Sequence, residues 1–181
     1  CFPPTGDGIA IPGNQNLGTD EKVARWASIY MPFEKAMSDL MDRLREKHGN
    51  TPIFVFPVHS YTPEFMGETR DMEAAVLWNY DSIFAQSIIR HFQQQGLKVG
   101  NNAPYDARKF NYTVPDRHVS QRKVYNGTKE NNVISAFLEV RNDLINTPEA
   151  GERMARNVAI AVQNAIEEYM AEMDITYYPA P

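Results

Sequence analysis

The chain of 181 residues carries a formal net charge of -5, a pI near 5.4 and 43% apolar residues at a mean hydropathy of -0.48. That length gives one domain, spanning 1–181, with enough chain for a sizeable core. The acidic balance, without a Lys/Arg cluster, excludes nucleic acid and anionic membrane surfaces as expected partners. No apolar run approaches a membrane span. The single cysteine, Cys1, rules out an internal disulfide and fits a reducing, cytoplasmic compartment.

The start lacks Met, a charged n-region and an apolar h-region, so it reads as an end left by truncation or processing rather than a signal peptide. Pro and Gly punctuate residues 1–18 as an irregular loop. Thr19 and Asp20 offer caps for a helix to about Tyr30, and Pro32, at home in a first turn, restarts it. Phe33, Ala36, Met37, Leu40, Met41 and Leu44 recur three and four apart, predicting one apolar face. Glu34, Asp39, Asp42, Arg43 and Lys47 fall on the solvated side, and Gly49 closes the helix.

Ile53-Phe54-Val55-Phe56-Pro57-Val58 predicts a strand buried on both faces, with His59 and Ser60 at its carboxyl end. A long loop over 60–80 holds Gly67, Arg70 and the acidic Glu68, Asp71 and Glu73, with room for a short strand over 74–78. Asp81 caps a second helix with Ile83, Phe84, Ile88 and Phe92 inward, ending at Gly96. Leu97-Lys98-Val99-Gly100 predicts a strand, 106–132 a polar loop, and 134–140 the clearest remaining strand. Thr147-Pro148 opens a last helix striped by Met154, Val158, Ala161, Val162, Ala165, Ile166 and Tyr169. Alternating strands and helices predict an α/β fold, a mostly parallel or mixed sheet flanked by helices. About three or four strands are visible where five or six are usual, so the sheet is expected to lack its N-terminal strands.

Three strands end in polar residues: His59 with Ser60, Asn101 with Asn102, and Glu139 with Arg141. In a parallel sheet those ends line one rim, where open α/β sheets bind ligands. A carboxylate such as Glu139 in an apolar strand carries a large desolvation cost unless it is paired or metal-bound. Either it forms a salt bridge with Arg70 or Arg141, or it is a general base beside a metal-bound water. His59 is either a satisfied core histidine or a metal ligand. One His and one Glu fall short of the three protein ligands that zinc usually takes. Arg70 and Arg141 carry the fork that matches a substrate carboxylate, and His118 is a candidate substrate contact in a polar loop. His48 and His91 read as helix residues without chemistry. Neither a Gly-x-Ser-x-Gly elbow nor a phosphate-binding glycine loop is present.

Ile11-Pro12-Gly13-Asn14, His59-Ser60-Tyr61-Thr62-Pro63, Gly67 with Arg70, Asn102-Ala103-Pro104-Tyr105, Tyr112-Thr113, His118 and Leu138-Glu139-Val140-Arg141-Asn142-Asp143 occur in this order. The series resembles the N-formylglutamate amidohydrolase family, from Pro12 to the end of the last helix. Its more specific segments are His-Ser-x-Thr-Pro and Glu-x-Arg-Asn-Asp. The resemblance implies a phosphorylase/hydrolase-like α/β fold, akin to zinc carboxypeptidases and aspartoacylase-like deacylases. It also implies zinc-dependent hydrolysis of the amide bond of an N-acyl, specifically N-formyl, acidic amino acid. On that resemblance His59 is the last of three zinc ligands, Glu139 the general base, and Arg70 or Arg141 the holder of a substrate carboxylate. Asn102 and Tyr105 would shape the pocket. The family's other two zinc ligands lie before the Pro-Gly-Asn motif, in a segment that this chain does not match. A partner chain or a missing N-terminal segment is their expected source, and the expected substrate is a small molecule. The alternative is a non-catalytic remnant, or a small-molecule-binding module of the same fold that needs a partner segment.

Overall fold

A computed structural model describes residues 2–49, 51–109, 124–125, 128–129 and 133–172. The chain groups into two compact units: Cys1–Thr51 with Glu64–Glu68, and Pro52–Pro63 with Thr69–Pro181. In the first, a hairpin (β1, Thr5–Gly6; β2, Ile9–Ala10) precedes α1 (Thr19–Arg25), a π-helical turn over Trp26–Tyr30, and α2 (Met31–His48). Pro32 falls in the first turn of α2, directly after the π-helical turn through which α1 runs on into α2. The expected Thr19/Asp20 cap does not form: Gly18 holds the capping position and both residues lie inside the first turn. The face of α2 is also corrected. Met41 is buried, yet Phe33 and Leu40 are exposed, and Glu34 is buried with the Tyr30 hydroxyl donating to its carboxylate.

In the second unit the apolar run forms two strands, β3 (Ile53–Val55) and β4 (Val58–Tyr61). Pro57 has no N–H to give the ladder, so pairing stops and then resumes. His59 and Ser60 therefore lie inside a strand rather than past its end. The short hairpin of β5 (Glu64–Phe65) and β6 (Glu68–Thr69) follows β4 in the chain, its residues Glu64–Glu68 counting with the first unit; then come β7 (Ala74–Leu77), α3 (Ser82–Gln94) and β8 (Val99–Asn101) of the second. The pair β9 (Val124–Tyr125) and β10 (Thr128–Lys129) precedes β11 (Val133–Ser135), β12 (Phe137–Arg141) and α4 (Pro148–Glu172).

β11 runs parallel to β3, and the main sheet has the order β4-β12-β7-β8. β12 is parallel to β4 and antiparallel to β7, while β7 and β8 are parallel. The connections explain the directions. A parallel pair needs a crossover, and α3 supplies one between β7 and β8. Between β4 and β7 there is no helix, only turns and the short β5–β6 hairpin, and those strands run in opposite senses. The sheet is therefore mixed. One consequence corrects the expected common rim: β8 ends at the opposite end of the sheet from β4 and β12, so Asn101 and Asn102 do not join His59 and Glu139 there.

Strand alternation then sorts the two faces. Ala74, Val76, Leu138 and the β11 residue Ile134 turn to α3 and α4, packing with Phe84, Ile88, Ala161 and Ala165. Phe54 and Phe56 join them, with ring centroids 5.1 and 5.6 Å from Phe84. The α4 stripe is as predicted, Val158, Val162, Ile166 and Tyr169 flanking buried Ala161 and Ala165. Ala75, Leu77, Tyr61 and Phe137 occupy the other face. Asp81 precedes α3 but makes no side-chain cap there; its Oδ2 instead accepts the Ser135 N–H at 3.0 Å. Among the described residues no helix is long and apolar enough to cross a membrane.

Glu168 ties α4 to α3. It accepts hydrogen bonds from Ser87 and from Arg90 Nη2 at 2.7 Å, and its Oε1 lies 3.0 Å from His91 Nε2. The Ser87 bond, aided by His91 and Arg90, holds its carboxyl below the usual range. A lowered carboxyl pKa gives stability that is present above the unfolded value and lost as pH falls through the folded one. Glu168→Gln is expected to melt below the wild type near neutral pH, the gap closing in strong acid. Melting curves at both extremes check this.

Candidate functional site

The face away from α3 and α4 carries the polar residues. β4 and β12 pair with His59 opposite Glu139 and Tyr61 opposite Arg141, so all four side chains leave the sheet on one side. His59 Nδ1 lies 3.8 Å from Glu139 Oε1, a charge contact rather than a hydrogen bond. The two differ in setting: the His59 side chain is 60% exposed and that of Glu139 is 9% exposed. Burial raises the Glu139 pKa above the ordinary value, opposed by the charges of His59 and Arg70. On the other side of Glu139 sits Ala75, a side chain too small to cover the carboxylate. The arrangement is a shielded carboxylate beside an accessible imidazole, which can hold and release a proton next to a ligand.

Arg70 is buried, its guanidinium 5.8 Å from the Tyr61 ring and 5.2 Å from the Tyr105 ring, and its Nη1 donates to the Tyr105 hydroxyl at 3.2 Å. Arg141 is placed differently. Its Nε and Nη2 donate to Asp143 at 2.8 and 3.3 Å, and Nη1 donates to the carbonyls of Arg70 and Asp71 at 3.1 and 3.3 Å. The fork of Arg141 is thereby spent on fixing the segment that bears Arg70.

Asn102 is buried and has φ +51, a conformation Asn tolerates better than most residues. Its Oδ1 accepts the Trp78 N–H at 2.9 Å and its Nδ2 donates to the Trp78 carbonyl at 3.0 Å. It pins the turn that returns Tyr105 to the face. His118 lies outside the described residues. Two residues that the sequence reading gave no role also belong to this face. Tyr61 is 4% exposed, with burial pushing its hydroxyl pKa up to about 12. Gly100 pairs with Ala75 and leaves room for the Ala103 carbonyl. Period two counted from His59 marks Tyr61; nothing local marks Gly100.

Zinc chemistry needs a larger donor set than this. Among the described residues no group of three His, Cys, Asp or Glu side chains could hold a metal ion. His59 and Glu139 are one imidazole and one carboxylate, so the described residues do not fit a complete zinc site. A cleft of about 300 Å³ lined by α3 and α4, including Arg90 and Glu168, belongs to the helix layer and not to this face.

One face of the mixed α/β sheet therefore carries a shielded carboxylate, an open imidazole and a buried arginine. The chain belongs to the N-formylglutamate amidohydrolase family, whose model matches residues 2–146. Among solved structures it is similar to the crystal structure of gene product Atu2144 from Agrobacterium tumefaciens, at 24% identity and a TM-score of 0.69. That match covers 94% of this chain and 62% of the other, and it shows the fold. A comparison with curated proteins gave no match.

Proposed function

We propose that this face hydrolyses the amide bond of an N-acyl acidic amino acid, N-formylglutamate being the type substrate. The observation that carries the reading is the register of Glu139 with His59, the carboxylate oxygen and the imidazole nitrogen 3.8 Å apart, in a family of amidohydrolases. Glu139 takes the proton from the attacking water and returns it to the leaving amine. Arg70 receives the substrate carboxylate and holds the amide over Glu139. Arg141 keeps the backbone of Arg70 in place, and Tyr105 shapes the wall beside it. Zinc belongs to this proposal with His59 as one ligand, its remaining ligands coming from beyond the described residues.

Formate release from N-formylglutamate by the zinc-supplemented chain tests the reading, together with elemental analysis of bound metal. Arg70→Gln is expected to raise KM for N-formylglutamate by roughly tenfold to a hundredfold, the worth of a charge-assisted pair. KM for N-formylglutamine, which lacks the side-chain carboxylate, should move far less. Binding without product release would make the chain a small-molecule-binding module, and neither binding nor release would sink the proposal.

A further inference from the structure

We infer that Tyr61 is a positioning residue: it holds the Arg70 guanidinium where the substrate carboxylate docks, and so sets the preference for acidic over neutral ligands. The inference rests on the reading of Arg70 given above. An arginine head on a long flexible stem binds an anion well only if its fork already points the right way, because ordering it on binding weakens affinity. The backbone of Arg70 is fixed: its N–H donates to the Pro63 carbonyl at 2.8 Å and its carbonyl accepts from Arg141. That leaves the head, whose Nη1 donates to the Tyr105 hydroxyl at 3.2 Å, a single bond that does not by itself set the plane of the fork. Two tyrosine rings lie within cation–π range of it, at 5.8 Å for Tyr61 and 5.2 Å for Tyr105.

The two rings are not equivalent. Tyr105 sits on the turn after β8, whereas Tyr61 is anchored at both ends. Its backbone is in β4, paired with Arg141, and its hydroxyl donates to the Met72 carbonyl at 2.6 Å. The ring therefore cannot rotate away from Arg70 without breaking a buried bond. The same strand carries His59 two residues earlier, so the anion seat and the Glu139 contact are set by one rigid element. A substrate that reaches both is measured against a fixed span.

A double-mutant cycle decides it, read by calorimetric binding of glutarate and by hydrolysis of N-formylglutamate and N-formylglutamine on the full chain. Tyr61→Leu is expected to weaken glutarate binding about tenfold, and to raise KM for N-formylglutamate with little change in kcat. In an Arg70→Gln background the same change should cost nothing further, and Tyr61→Phe, which keeps the ring but loses its tie to the Met72 carbonyl, should weaken binding by less than Tyr61→Leu does. Additive losses, or wild-type binding by Tyr61→Leu, overturn the inference and leave the proposed function standing. If Tyr61→Leu does not fold, Tyr61→Met takes its place in the cycle; if neither folds, Tyr61 is a core residue and the inference falls. A wild type that neither hydrolyses N-formylglutamate nor binds glutarate sinks the proposed function and this inference together. A wild type that binds glutarate with the coupled pattern but releases no formate sinks the function alone.

Discussion

Glu139→Gln is expected to abolish turnover of N-formylglutamate, lowering kcat by roughly a hundredfold to ten-thousandfold, the usual worth of a placed general base. A carboxamide keeps the shape of the side chain but cannot take a proton from water. Zinc content should be unchanged, since the proposed ligand on this chain is His59 and not Glu139. The same substitution has an opposite effect on stability. Burial raises the Glu139 pKa, and the native state therefore holds that proton more tightly than the unfolded chain. The contribution of such a group is fully present below its unfolded pKa and is lost as pH rises through the folded one. Near neutral pH the ionised carboxylate costs stability, so the chelator-treated variant is expected to melt above the wild type there. The difference should vanish below about pH 4, where glutamate is protonated in either state. Rate measurements on the active protein give the companion result: activity rises with pH through the raised pKa, and the variant lacks that limb. Turnover retained by Glu139→Gln, or a lower melting point near neutral pH, removes Glu139 from this role.

Gly100→Ala is expected to be the most damaging small substitution in the sheet. A Cβ there would lie 2.2 Å from the Ala103 carbonyl oxygen and 2.6 Å from Met72 Sδ. The methionine can swing aside. The carbonyl cannot, because the preceding Asn102 is bonded through its side chain to both the N–H and the carbonyl of Trp78. Either β8 leaves β7 or the turn leaves its place. An overpacked site of this kind costs about 3 kcal/mol, which lowers Tm by roughly 6–12 °C for a chain of this size. KM should rise as well, since Tyr105 follows that turn and touches Arg70. A calorimetric melt with a wild-type Tm would show that the turn has slack.

How much of this was legible depended on distance along the chain. The strands at 53–58, 97–100 and 134–140, and the helices at 81–96 and 148–169, follow from apolar periodicity and Gly/Pro punctuation, and each has its counterpart in the structure. α2 departs from this pattern: Phe33 and Leu40 of its apolar stripe are exposed, while Glu34, expected on the solvated side, is buried. The stripe says which residues share a side of a helix; it does not say what covers that side. The break at Pro57 was readable, since proline cannot donate to a ladder, but the resumption through His59, Ser60 and Tyr61 required a partner strand.

The site divides in the same way. Residue types and the family motifs together put forward Glu139, His59, Arg70, Asn102, Tyr105, His118 and Arg141, but left Arg70 and Arg141 interchangeable. Only the folded chain separates them, by giving Arg141 to Asp143 and two carbonyls and Arg70 to two tyrosine rings. By itself the sequence determined the main helices and strands, because apolar periodicity rests on neighbours within a turn or two, and the family, because its motifs stand in order along the chain. The tertiary structure alone decided strand direction, the failure of Asn102 to share a rim with Glu139, and the pairing of a histidine with a glutamate eighty residues away. Those depend on which strands lie side by side, and no local pattern records the far partner of a hydrogen-bond ladder.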